Sequence, residues 1–195
     1  KEVVVGFNFC FGAHRKGTTD FLQEVAPTFG LKVTVVPPVI VGDSPVNSTR
    51  IRQSLQTGRV EEANECLGRL FSFRGRVITG EQRGKFLGFP TANLYVSQAV
   101  KLRFGVYACW IKLKDEYFRG AMNIGVSPTF GHNEETVEVH LLDFSEDIYG
   151  QELIVYVMKY LRSEKAFPGV ESLRNQLKED MVEVRRVLSH LPRFD

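Results

Sequence analysis

The sequence predicts an α+β protein: an α/β segment first, then a small antiparallel β-barrel or sandwich closed by one helix. Three observations carry this. A strand-helix-strand order occupies the first third. From Phe71 the apolar period shortens to that of strands, with no helical pattern between them. One long apolar stripe at helical spacing then ends the chain.

Residues 3–5 are consecutive valines, a β-branched run that favours extended chain. Phe21, Leu22, Val25, Ala26 and Phe29 recur at helical spacing, and residues 33–36 form a second β run. That order favours a parallel pair within a three-layer α/β unit. After Pro37-Pro38, Asn47 or Ser48 can cap a helix through Ile51 and Leu55, with Gly58 as its stop. Residues 60–67 read as a further short helix ended by Gly68. Val77-Ile78 and residues 106–113, 117–124, 137–144 and 153–161 then read as strands. The segment 114–116 is short enough for a hairpin, so neighbouring strands are expected to be antiparallel. Five or so strands without helices between them suit a barrel or sandwich. Val170, Leu173, Leu177, Met181, Val184 and Leu188 form a single apolar stripe to lay against it. The change of style near Gly68 divides the chain into expected domains at 1–68 and 69–191.

A hydrophobic fraction of 43%, with 25% charged residues, describes an ordinary globular protein. The formal charge is +2 and the basic residues are scattered, which argues against nucleic acid as a partner. No apolar run approaches the roughly 20 residues that span a bilayer, so no membrane association is expected. Lys1 to Val5 resembles a strand entered in mid-domain rather than a signal or transit peptide. Cys10, Cys66 and Cys109 form no C-x-x-C pair. Isolated thiols suit buried structural roles and a reducing cytoplasm.

The chemistry-bearing segment is residues 80–93. Gly80, Gly84 and Gly88 with Lys85 lie close to Thr91 and Asn93. Glycines let backbone N–H groups approach a phosphate, and a lysine adds a point charge. A P-loop is excluded, because three residues rather than four separate Gly80 from Gly84 and Phe86 follows Lys85. In extended chain Thr91 and Asn93 project to one face, offering two neutral oxygens to a magnesium ion that arrives on nucleotide phosphates. Local backbone capping by the same two side chains remains open. Glu138 and His140 share the face opposite Val137, Val139 and Leu141. On a solvated face that pair does nothing; lining a pocket, Glu138 becomes a general base.

Around Gly88-Phe89-Pro90-Thr91-Ala92-Asn93 the sequence resembles the riboflavin kinase family. The likeness continues in order through Gly105-Val106-Tyr107, Asn123-Ile124-Gly125, residues 138–144, Tyr149-Gly150 and residues 161–167, covering nearly all of residues 70–190. It implies a six-stranded antiparallel Greek-key barrel that transfers the γ-phosphoryl group of Mg-ATP to the riboflavin 5′-hydroxyl, giving FMN. Thr91 and Asn93 would bind the magnesium, Glu138 would take the hydroxyl proton, and Gly80, Gly84 and Lys85 would meet the phosphates. Arg162 would face the flavin.

The first third resembles the end of the Rossmann-like FMN adenylyltransferase domain that precedes this kinase in bacterial bifunctional FAD synthetases. Gly6-Phe7-Asn8-Phe9 and residues 48–52 carry that likeness, with Asn8, Arg50 and Arg52 as remnants of its site. Asn47 stands where the family has serine, and Thr18 where an acidic residue is common. His14, His132, His140 and His190 form no His-x-Gly-His motif, on which adenylyl transfer in that family depends. The expectation is a domain truncated at its N-terminus, no FAD synthesis, and self-association through exposed apolar edges. Two other classes remain to be separated: a non-catalytic flavin- or nucleotide-binding module, and a nucleotidyltransferase of other specificity.

Overall fold

The valine runs at the start of the chain pair in parallel, as the strand-helix-strand order predicts. Strand β1 (Glu2–Gly6) runs beside β2 (Lys32–Val36), with Val3 opposite Val33 and Val5 opposite Val35. The computed structural model describes residues 1–80, 84, 88–97, 100–129, 132–190 and 192. Helix α1 (Thr19–Val25) connects the two strands, its first turn capped by the Thr18 hydroxyl, which accepts from the Phe21 N–H at 3.3 Å. The helix expected to reach Phe29 tightens into a 3-10 turn over Ala26–Phe29, where Pro27 has no N–H to give. A two-residue hairpin follows, β3 (Ile40–Val41) with β4 (Ser44–Pro45). One parallel crossover is therefore present; two strands do not distinguish a Rossmann-like sheet from another α/β layer.

Packing divides the chain into two compact units, Lys1–Asn47 and Ser48–Asp195. The expected boundary at Gly68 marks the change of secondary structure, whereas the packing boundary falls before α2 (Ser48–Gln56) and α3 (Val60–Leu67). Both helices belong with the barrel for a physical reason. Leu55, Val60 and Ala63 enter its apolar core. The Asn64 carboxamide donates to the Val157 carbonyl at 3.0 Å and accepts from the Phe71 N–H at 2.7 Å.

The second unit is a closed antiparallel barrel of β5 (Phe71–Ile78), β6 (Ala92–Tyr95), β7 (Gly105–Leu113), β8 (Glu116–Thr129), β9 (His132–Leu141) and β10 (Glu152–Arg162). Around the barrel the order is β10-β5-β6-β9-β8-β7. Strands β7, β8 and β9 form a meander and β6 pairs with the far strand β9, a Greek-key connection. The strand that residue patterns alone missed is β6: only four residues long, with Leu94 alone fully buried, it shows too little alternation. The run expected through residue 144 stops at Leu141, and Asp143 turns the chain at φ 60.

Helix α4 (Val170–Val187) lies on the outside of the barrel. Its Val184, with Leu188 just beyond, packs against Ala108, Trp110 and Ala121, so β7 is buried on both faces. The predicted stripe is only partly core: Val170 is exposed, and Asp180 interrupts the buried face. Cys66 and Cys109 are buried free thiols, and burial pushes that of Cys109 up; Cys10 is half-exposed rather than buried. Among the described residues no helix is long and apolar enough to cross a membrane.

Candidate active site

Lateral register brings distant parts of the sequence into one row. Around the six strands, Ile78, Asn93, Glu138, Asn123, Val106 and Arg162 are successive cross-strand partners. Partners directly opposite project to the same face of a sheet. The neighbours Leu94, Val137, Val139, Met122, Ile124 and Tyr107 fill the barrel core. Alternation therefore turns Asn93, Glu138 and Asn123 outward. That outward face is roofed by α4. Between the two lies a cavity of about 410 Å³, lined by Thr91, Asn93, Asn123, Glu138 and Arg162 on the barrel side. Leu173, Leu177 and Met181 of α4 line the opposite side, so Leu173 and Leu177 face the cavity, while Met181 also packs against the cluster around Val184 and Leu188.

Thr91 also borders a second cavity, of about 280 Å³, on its other side. Its walls combine Val77, Val139, Leu141, Phe144, Ile148 and Tyr149 with the polar Glu146 and Asp147. Thr91 is thus the shared wall of two spaces, and Glu138 lines only the larger one.

The glycines singled out in the sequence stand against the two candidate ligands. A Cβ on Gly80 would collide with the Asn93 carboxamide. One on Gly84 would collide with the Phe89 carbonyl and stand 3.2 Å from Thr91 Oγ1. The Phe89 N–H donates to the Gly84 carbonyl at 2.9 Å. Lys85 lies outside the described residues. Among the described residues no cluster of three or more His, Cys, Asp or Glu could hold a metal. Thr91 and Asn93 instead offer a hydroxyl and an amide oxygen, a sparse neutral set that fits a magnesium ion whose charge is already met by phosphates.

Arg162 lines the larger cavity, but its guanidinium is engaged. Nε and Nη2 donate to the Asp180 carboxylate of α4 at 2.8 and 2.7 Å, with Asp180 almost fully buried. The pair ties the roof to the barrel, and Arg162 also lies over the Phe167 ring at 6.0 Å. Sequence reasoning missed Asn123 and Asp180 as members of this site. Asn123 needs the β8–β9 register to stand beside Glu138, and Asp180 looks like any polar residue of a helix until α4 is docked.

The riboflavin kinase family profile matches residues 67–188. The chain belongs to the riboflavin kinase family. A separate profile, for FAD synthetase, matches residues 1–50. Among curated relatives, a bifunctional riboflavin kinase/FMN adenylyltransferase of Buchnera aphidicola is 34% identical over 95% of this chain and 60% of its own length. That of Bacillus subtilis is 35% identical over 98% of this chain and 61% of its own length. The chain therefore spans about 60% of the length of the curated relatives it matches. A crystal structure from Streptococcus pneumoniae, described as a macrolide-efflux protein, superposes with a TM-score of 0.82 at 35% identity. That superposition covers 92% of this chain and 58% of the other.

The residues resembling the adenylyltransferase of the family's bifunctional members divide between the units. Asn8 is exposed in the turn after β1, in the first unit. Arg50 and Arg52 sit on α2 in the second. Arg50 Nε donates to Glu62 Oε1 at 3.0 Å and so joins α2 to α3. That hydrogen bond, followed by one from the Ser54 hydroxyl, holds the Glu62 carboxyl below its ordinary range. Arg52 is exposed beside a separate cavity that includes Phe71, Phe73 and Lys101.

Proposed function

We propose that the barrel unit transfers the γ-phosphoryl group of Mg-ATP to the 5′-hydroxyl of riboflavin, giving FMN and ADP. The observation that carries this reading is Thr91 between two cavities, with Glu138 in only one of them. A phosphoryl group in transfer must stand between its donor and its acceptor. The acceptor hydroxyl belongs on the side of the base, so riboflavin takes the larger cavity beneath α4. The nucleotide takes the smaller one, its phosphates reaching Thr91.

In this reading Thr91 and Asn93 hold the magnesium of Mg-ATP, which neutralises charge on the phosphates. Gly80 and Gly84 let the backbone pass close against those two side chains, where its N–H groups can meet the phosphates, and Lys85 adds a positive charge. The Glu138 carboxylate accepts the hydroxyl proton as the riboflavin oxygen bonds to the γ-phosphorus. The bond from that phosphorus to the β,γ-bridging oxygen breaks, and the electron pair leaves on ADP. Alignment and charge neutralisation supply most of the catalysis in such a transfer, so a short set of residues suffices. Leu173, Leu177 and Met181 exclude water from the acceptor side. Arg162 acts on the flavin through the position of the α4 roof rather than as a free cation. Free thiols at Cys10, Cys66 and Cys109 suit a cytoplasmic setting.

The test is incubation of this chain with riboflavin, ATP and Mg²⁺, followed by chromatographic separation of flavins. FMN as the sole product is the expected result. No phosphorylated flavin would reduce the barrel to a binding module, and FAD would show that adenylyl transfer survives without a His-x-Gly-His motif.

A further inference from the structure

We infer that His140 is the positioning residue for Thr91, holding it at the junction of the two cavities through the Pro90 carbonyl; this rests on the kinase reading above. His140 follows Glu138 by two residues on β9, so both face outward, and both line the larger cavity. Its ring Nδ1 lies 2.7 Å from the Pro90 carbonyl oxygen. A carbonyl only accepts, so Nδ1 carries the proton and donates. The Phe89 ring meets the imidazole edge-on, with centroids 5.8 Å apart at 71°. The imidazole thus grips two consecutive residues of the segment that delivers Thr91.

The grip reaches Thr91 because of covalent geometry. The Pro90 carbonyl and the Thr91 nitrogen share one planar peptide, so fixing the oxygen fixes the plane from which Thr91 departs. Proline has no N–H, which leaves that carbonyl as its one backbone group for a hydrogen bond. On the other side of Thr91 the β6–β9 ladder begins at once, with Ala92 opposite Val139. Thr91 is therefore held between His140 and the ladder, both anchored on β9. The same strand presents Glu138, so the base and the phosphate-binding hydroxyl are referenced to one rigid element. His140 acts on Thr91 through the Pro90 carbonyl rather than on a reacting atom.

Three variants of the whole chain test the inference: His140→Ala, His140→Asn and His140→Gln. An asparagine amide nitrogen occupies nearly the place of Nδ1, whereas that of glutamine reaches toward Nε2. FMN formation is measured with Mg²⁺ and ATP varied at saturating riboflavin, alongside thermal unfolding. For His140→Ala the KM for Mg-ATP and the Mg²⁺ needed for half-activity should each rise roughly ten-fold, the loss of one well-placed hydrogen bond. His140→Asn should stay within about three-fold of wild type, and His140→Gln should resemble alanine. Should the alanine variant fail to fold, the asparagine–glutamine contrast still decides. Wild-type constants in His140→Ala, or equal loss in the asparagine and glutamine variants, overturn the inference while leaving the kinase reading intact. A wild-type chain that makes no FMN overturns both.

Discussion

The two compact units treat their apolar residues in opposite ways. In the first, β1 and β2 form a two-stranded sheet, and Val5 and Ala26 are its buried hydrophobic residues. Val4 is 62% and Phe29 75% exposed. In the second, six strands close on themselves, and Tyr107, Ile111, Met122, Val139 and Leu153 are among the large side chains shut inside. Closure removes free edges and locks each strand to two neighbours. A side chain on such a strand has its position set from both sides, and Asn93, Glu138 and Asn123 share one row for that reason. An open pair of strands carries residue types without that lateral constraint. The lesson is that a site needs register as well as chemistry.

Four measurements test this contrast. Leu153→Ala, inside the barrel, should cost about 2–5 kcal/mol in denaturant unfolding, whereas Phe29→Ala should stay within about 0.5 kcal/mol. Equal losses would mean that the first unit is packed as tightly as the second. Glu138→Gln should lower FMN turnover at least about ten-fold with Mg-ATP affinity nearly intact, while Phe29→Ala leaves turnover within about two-fold. Near-normal turnover in the glutamine variant would remove Glu138 from the chemistry. Next in size, Gly80→Ala pushes a Cβ into the Asn93 carboxamide. Overpacking of about 1 kcal/mol there should appear as a roughly five-fold higher KM for Mg-ATP with little change in unfolding temperature.

The smallest effect concerns Glu62, which joins α3 to Arg50 of α2. Its folded-state value lies below the ordinary 4.5. The stabilisation is therefore fully present above about pH 4.5 and is lost as pH falls through the lower folded-state value. Glu62→Gln should be slightly less stable than wild type at pH 7, by about 1 kcal/mol or less, and the gap should close on acidification. A gap that persists at low pH would mean that the pair acts by packing rather than charge.

Much of the architecture is legible in the sequence. Three valines, the glycine stops at Gly58 and Gly68 and the stripe from Leu173 to Leu188 are local signals, and the elements they announce are present. The candidate site was legible as residue types at Thr91, Asn93 and Glu138, and family likeness added the substrate those types would serve. Less legible was anything that depends on residues far apart in sequence. The four residues of β6 carry no period of their own. Asp180 appears solvent-facing until Arg162 meets it, and His140 appears solvent-facing until α4 and the Pro90 carbonyl are in place.

Local spacing and side-chain type were enough to read most elements, β6 excepted, the antiparallel strand pairing and a set of candidate residues for phosphoryl transfer. Tertiary structure alone decided that the outward face of β9 is covered, that Thr91 divides two cavities and that α2 and α3 belong with the barrel. Those facts arise from barrel closure and the docking of α4, which bring together residues separated by tens of positions, and no local pattern encodes such a meeting.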